Sequence, residues 1–520
     1  MIYFVRNQAG AAFATAIFVF FAGCMSESPP PLKITPDSTA GPANDTARGS
    51  SSSRTETVVA DLDQWDAYYL QGTKIGYGHL RIRLEGDRRV LSSVNIIKVQ
   101  RFGEQTEQEI RLEATETTRG RLLDYRLTTV LGTEKATTEG RVEGNELLLT
   151  TRTRGKATEG RLPWVPENGG FYAVEDSLRA APMQPGETRR IRSLILGFDA
   201  VADVELEAVG PEEVDVLSST QELLRIEKTI SLAGNPPLQE TIWTDSRGGI
   251  LKSRIAILNM ESYVVPKEEA LRDPETADFD MGMDVSVALE TPIPNAPDAE
   301  KLVYRVTLED RNPGEAFAGG PFQRVSEIDA RTALVEIHSA RKAQIETGPA
   351  ESPANSKYLE PSAYIQSDDP AIKKLASDAV AGAADTLKKA RTLERFAHGY
   401  ITETNFSQAF SSAAEVCETK QGDCTEHAVF LAALARAVGI PSRLAVGLVY
   451  MEGASAFGYH MWTELRVGDV WVPFDATLGL GGAGATHLKL GDTALEGGAP
   501  FGHFLPLLET AGKLRIELAE

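Results

Sequence analysis

Cysteine is scarce in this chain: three residues in 520, Cys24, Cys417 and Cys424. So few exclude a disulfide-stapled scaffold. They also exclude a Cys-based zinc site, because no C-x2-C pair supplies two ligands. The sequence has no P-loop, no H-E-x-x-H and no EF-hand loop, so the phosphate cradles and metal sites those motifs build are not expected. Basic stripes are missing as well, and the formal net charge is −21. Both argue against a protein that tracks nucleic-acid phosphates. Apolar runs stay short of the roughly 20 residues a bilayer-spanning helix needs. The expectation is a protein with no cofactor, no metal and no nucleic-acid partner.

What is present begins at the N-terminus. Arg6 is the sole charge before a run, Ala9 to Gly23, that is apolar or small throughout. Such a run suits a signal-peptide h-region. It ends in Phe21-Ala22-Gly23-Cys24, which resembles a bacterial lipoprotein signal. The resemblance implies that Cys24 is lipidated, and it places the protein on a membrane of the bacterial cell envelope, on the extracytoplasmic side. A simple anchor or an ordinary cleaved signal are the alternatives. On this reading residues 1–24 are the signal peptide. Residues 25–56, rich in Ser, Pro, Thr and Gly, hold too few large apolar residues to fold and form a tether.

The remaining length allows two to four domains, and an apolar fraction of 42% gives each a core. Over 57–263, runs such as HLRIRLEG, VLSSVNIIKV and DYRLTTVL alternate with a period of two, separated by turn residues. No helical pattern intervenes, so parallel βαβ units are not expected and a large antiparallel β domain is. Its one histidine, His79, has no chemical company. Over 264–346, VSVALETP, LVYRVTLED and ALVEIHSA alternate again and suggest a small β-sandwich-like module. A Pro- and Ser-bearing boundary follows near 347–362.

From there to the end, 355–520, the period turns helical and then returns to strands. Asp369-Pro370 caps a first helix, Asp385 to Ile401 spans a second, and Ser412 to Glu415 fits a capping box for a third. The fourth starts within QGDCTEHAVF and stops at Gly439-Ile440-Pro441. The strands RLAVGLVY, HMWTELRVG and VWVPFDAT come next, with a hairpin turn at Val467 to Val470.

Cys424 stands in the first turn of the fourth helix, behind Asp423 as cap and before Glu426 as its capping-box partner. The helix dipole favours a thiolate there, and two neighbouring carboxylates oppose it. A cysteine nucleophile needs a base, and the base needs an orienting acceptor. His460 opens one strand and Asp475 ends the next, and antiparallel pairing brings such positions together. His427 is closer in sequence and could also reach the sulfur; a packing or hydrogen-bonding role is expected of it.

These residues carry a resemblance. GDCTEHAVFLAALARAVGIPSRLAVGLVY, followed by GYHMWTELRVGDVWVPFDATLG, resembles the core of the transglutaminase-like superfamily over about residues 355–505. The shared motifs are GDC, the Gly-Ile-Pro-Ser-Arg helix exit, His-x-Trp-x-Glu and Trp-x-Pro-x-Asp-x-Thr. The resemblance implies a papain-like α+β C-terminal domain; with the mainly antiparallel β domains read before it, the chain is expected to be multidomain. It implies a Cys-His-Asp triad: Cys424 as nucleophile, His460 as base, Asp475 as orienting acid. The activity implied is attack on amide or peptide bonds through a thioester, with hydrolysis favoured over amine transfer and a protein or peptide as substrate. A non-catalytic envelope binding or assembly protein, working through its β region, is the alternative.

The oxyanion donor is open between the Cys424 backbone N–H and, more weakly, Gln421. Cys417 is expected as a free buried thiol; a disulfide to Cys424 would silence the nucleophile. Trp462 and Trp471 are expected as cleft walls and Glu464 as a sheet residue. Gly479 to Gly484 fits G-x-G-x-x-G without the strand and helix a dinucleotide site requires, so a mobile loop beside the site is expected.

Overall fold

The computed structural model describes residues 61–519 apart from 102–103, 132–133, 154–155, 199, 218, 233–236, 256–259, 274–285, 310, 344, 346–354, 363, 406–410 and 496–509. Cys24 and the segments expected to be a signal peptide and a tether, residues 1–24 and 25–56, lie outside the described residues. No helix among the described residues is long and apolar enough to cross a membrane.

The two-residue alternation between Leu62 and Val265 folds into one sheet of fifteen strands. Residues 62–163 make one antiparallel meander and residues 188–265 another. They join where Leu62–Leu70 pairs with Met260–Val265, Ala67 facing Tyr263. The link between the meanders carries the short strand Asn168–Gly169, the one parallel partner in this sheet, and the helix Ala173–Ala180. That helix is gripped from both halves. Arg89 of the first meander donates to the Asp176 carboxylate at 2.6 and 2.8 Å. The turn Asp245–Gly249 of the second presses on the helix backbone: a Cβ on Gly248 would lie 2.0 Å from the Leu178 carbonyl. The sheet therefore curls around the helix.

The inner face mixes apolar side chains such as Leu91, Ile110 and Ile226 with polar ones. Lys228 and Glu240 form an ion pair at 2.8 Å, both almost fully buried. Burial opposes the Lys228 charge, yet Glu240 keeps its pKa above the usual lysine value. Tyr68 donates to Asn95 at 2.5 Å across the same interior.

In the C-terminal part the strand Ala456–Val467 is central. It pairs with Ser442–Met451, with Val470–Phe474 and with the short Val287–Ala288; Ser442–Met451 pairs on its other side with His487–Thr493. The helix Cys424–Ala437 is apolar nearly all round because it is buried nearly all round. It lies on this sheet, where the Thr463 hydroxyl donates to the Ala428 carbonyl at 2.8 Å. The helices Pro370–Ala379 and Thr386–Tyr400 are capped by Asp369 and Asp385 as their sequences suggest. Ser412 makes no side-chain cap bond to Ala413–Thr419, so the capping box expected there does not form.

The β-sandwich-like module expected over 264–346 is not self-contained. Strands Lys301–Leu308, Gln323–Glu327 and Thr332–His338 form a four-stranded sheet with Leu514–Leu518, from the far end of the chain. The reason is an apolar face too large to leave exposed. Tyr304, Val306, Val335 and Ile337 bury against Leu448, Phe457 and Leu488 of the five-stranded sheet. The Gln323 carboxamide ties the two sheets, bonding the Lys489 backbone carbonyl at 2.7 Å and N–H at 2.8 Å.

The buried ion pair gives a test. Lys228→Ala leaves the Glu240 carboxyl buried without its partner inside the curled sheet and is expected to cost about 3–5 kcal/mol, whereas replacing both partners with methionine is expected to be near neutral or stabilising. Urea denaturation of both variants checks the sign and order of the two effects.

Candidate active site

The cap at the start of the Cys424 helix forms as its sequence suggests. Asp423 accepts from the Thr425 N–H at 2.8 Å, and Glu426 accepts from the Asp423 N–H at 2.8 Å. The second Glu426 oxygen accepts from the Ser411 N–H at 2.6 Å. Gly422 precedes the cap because nothing larger fits: a Cβ there would lie 2.2 Å from Glu426 Cβ. Burial, and then the Asp423 carboxylate beside it, hold Glu426 well above the usual carboxylate range. Of the two carboxyl groups flanking Cys424, Glu426 is thus the one whose burial disfavours its charge, which works in favour of a Cys424 thiolate.

Strand pairing sets the next contact. Thr463 faces Phe474, which places Asp475 just past the hairpin and within reach of His460. His460 Nε2–H donates to Asp475 Oδ2 at 2.9 Å. Burial works against a charged His460 ring, but the Asp475 charge, and after it the Cys424 thiol, which shares a hydrogen bond with the ring, hold its pKa well above the usual imidazole range. Burial likewise works against a charged Asp475, but His460 and then His487 keep it well below the usual carboxylate range. The structure brings Cys424, His460 and Asp475 together.

His487 is the residue that sequence reading missed. It opens the strand His487–Thr493, and its Nε2 lies 2.9 Å from the same Asp475 Oδ2. The other carboxylate oxygen accepts the Thr477 N–H at 2.9 Å. The only signal was a histidine at the head of an alternating strand, beyond a glycine-rich loop whose path the sequence does not reveal. His460, Asp475 and His487 are also the one group among the described residues with enough ligand atoms for a metal ion. The Nε2 atoms of both histidines sit at hydrogen-bond distance from one shared Asp475 oxygen.

The remaining candidates fall into place around this core. His427 donates from Nδ1 to the Asp423 carbonyl at 2.7 Å, and burial lowers its pKa. Its ring serves the helix end. Cys417 and Cys424 are both free, and burial followed by the nearby Asp369 pushes the Cys417 thiol up to about 11. Gln421 is occupied elsewhere, donating to Glu403 at 2.6 Å and accepting from Asn405 at 3.1 Å. Glu464 is an ion-paired sheet residue, 2.6 Å from Arg443 and 2.8 Å from Lys489. Trp471 packs edge-on against Tyr358 and under the Arg443 guanidinium; Trp462 is buried beside His487.

The glycine-rich loop is pinned, contrary to the expectation of a mobile one. Leu478 and Gly479 N–H groups donate to the Asp475 carbonyl at 3.3 and 2.9 Å, and Ala483 N–H to Pro473 at 2.9 Å. Gly482 N–H donates to the buried Glu394 carboxylate at 2.9 Å. Arg341 reaches the Gly482 carbonyl at 3.2 Å. The Glu394 and Arg341 anchors come from distant parts of the chain, which is why glycine content alone suggested mobility. Leu478 and Leu480 are left exposed beside the site.

Glu394 provides a titration test. Burial raises its pKa from 4.5 to about 7, although Gly482 N–H offsets part of the effect. A raised folded-state value means stability present below pH 4.5 and lost as pH rises to about 7. Relative to Glu394→Gln, the wild type is expected to lose about 3 kcal/mol over that window and nothing further above it. Denaturation midpoints of both proteins across pH 4 to 8, at roughly unit steps, measure this.

Residues 373–476 match the family model of the transglutaminase-like superfamily. No curated protein matches the chain significantly. Among solved structures, a candidate cysteine protease from Cytophaga hutchinsonii aligns at 17% identity and TM-score 0.27, covering 42% of this chain and 83% of that one. A β-barrel-like protein of a domain of unknown function from Brucella abortus aligns at 11% and 0.31, covering 40% and 98%. A candidate protease from Parabacteroides distasonis aligns at 10% and 0.19, covering 70% and 69%. The family match ends at Ala476, just past Asp475, and takes in Cys424 and His460, and the chain carries a transglutaminase-like domain over residues 373–476.

Proposed function

We propose that the chain is a cysteine enzyme acting on amide or peptide bonds, with Cys424 as nucleophile, His460 as acid and base, and Asp475 as the group that orients His460. The observation that carries this reading is the unbroken chain of hydrogen bonds from the Cys424 thiol through His460 to Asp475. His460 takes the thiol proton, and the thiolate adds to the carbonyl carbon. The oxyanion is met by the Cys424 backbone N–H, which at the first helical position has no intrahelical acceptor. His460 then returns the proton to the leaving amine, and a thioester remains. His460 next removes a proton from water, whose oxygen attacks the thioester; the acid is released and the thiol reforms. An amine in place of water would give a new amide. Hydrolysis is the favoured outcome, because water outcompetes any amine that no site holds in place.

Substrates are proteins or peptides of the bacterial cell envelope. The reading places the enzyme on the extracytoplasmic side of a membrane, held there by a lipid on Cys24. On the same reading, residues 25–56 link that lipid to the folded part.

Three experiments test this. A thiol-reactive amide probe is expected to label the wild type and not Cys424→Ala, and Asp475→Asn is expected to lower turnover by about 10⁴-fold by presenting the wrong His460 tautomer. Unchanged labelling of Cys424→Ala sinks the enzyme reading. Cys24→Ser is expected to move the protein from the membrane to the soluble fraction of cells; retention in the membrane sinks the lipid anchor.

A further inference from the structure

We propose that His487 is a positioning residue for this chemistry, a fixed N–H donor that holds Asp475 in the plane His460 needs; the inference rests on the function proposed above. Three observations support it. First, Asp475 Oδ2 receives two imidazole N–H groups, from His460 and His487, each at 2.9 Å. Second, His487 Nδ1 is buried and has no hydrogen-bond partner among the described residues. A proton there would have no acceptor, so the ring is neutral with its single proton on Nε2, aimed at Asp475. Third, the ring is locked. It is 4% exposed, its centroid lies 5.9 Å from that of His460, and it meets the Trp462 ring edge-on at 5.3 Å.

The consequence concerns geometry and charge together. His460 on Oδ2 and the Thr477 N–H on Oδ1 hold the carboxylate at two points, and His487 adds a second donor on Oδ2 that stiffens it against rotation about its Cβ–Cγ bond and helps His460 keep one orientation toward Cys424. His487 also supplies a third donor to a buried anion, which keeps Asp475 ionised at lower pH. Besides Asp475 and His460, the charged group that acts on His487 is Arg341, which disfavours a second positive charge there. His487 transfers no proton itself. It makes the thiolate–imidazolium pair available over a wider range of pH.

The test uses iodoacetamide alkylation of Cys424 in the full chain, followed as a function of pH. His487→Phe fills the space without a donor. It is expected to slow alkylation near neutral pH by about ten- to hundred-fold, the scale of a small misplacement of a reacting group, and to move the acid limb of the profile to higher pH. His487→Gln carries an N–H that can reach Asp475 and is expected to restore much of the rate and the limb. If His487→Phe does not fold, His487→Asn, whose amide is too short to span the gap, serves in its place with the same expectation. A wild-type rate and limb in the Phe or Asn variant, with labelling still abolished in Cys424→Ala, overturns the role of His487 alone. Failure of the wild type to label at Cys424 overturns the proposed function and this inference with it.

Discussion

A carboxylate with almost no contact with water keeps its charge at the centre of the C-terminal domain. Asp475 is 1% exposed, and a lone carboxyl so buried would take up a proton. It stays ionised because three N–H groups converge on it. His460 comes from the central strand, His487 from the strand two places across the sheet, and Thr477 from the turn that follows. The pairing of the sheet is thus a precondition for the charge. The charge in turn lifts His460, and His460 reaches Cys424. Glu394 is the counter-example a short distance away. It is equally buried, bonded mainly to backbone N–H groups, and its pKa rises to about 7.

The helix end obeys the same electrostatics from the other side. Capping requires acceptors at Asp423 and Glu426, and two full negative charges there would work against a Cys424 thiolate. Burial eases the conflict by raising the Glu426 pKa, which disfavours its charge, while its oxygens stay in place as acceptors. Fold and reactivity place opposite demands on one carboxyl group.

Around this site the chain is less modular than its sequence suggests. The four-stranded sheet takes its last strand from Leu514–Leu518 and buries its apolar face on the sheet that carries His460 and His487. Gln323, on its edge strand, fastens the strand that His487 opens. Residues far outside the matched 373–476 therefore hold the site in register. The curled sheet of the N-terminal half builds its interior by another route, closing over polar pairs such as Lys228–Glu240, where packing alone does not specify the arrangement.

What the sequence determined by itself is local. The capping box at Asp423 and Glu426, the buried helix behind Cys424, the alternation of the strands and the hairpin that carries Asp475 toward His460 all follow from neighbours a few residues apart. Two-residue periodicity and cap chemistry act over that range, so they can be read without coordinates. The rest was decided by tertiary structure. His427, nearest to Cys424 in sequence, is spent on a backbone carbonyl. His487 is drawn to Asp475 across a loop whose path depends on Glu394 and Arg341. The Glu426 pKa is raised chiefly because the packed domain excludes water from it. Contacts of this kind depend on which surfaces bury one another, and burial is a property of the assembled fold that no short stretch of chain encodes.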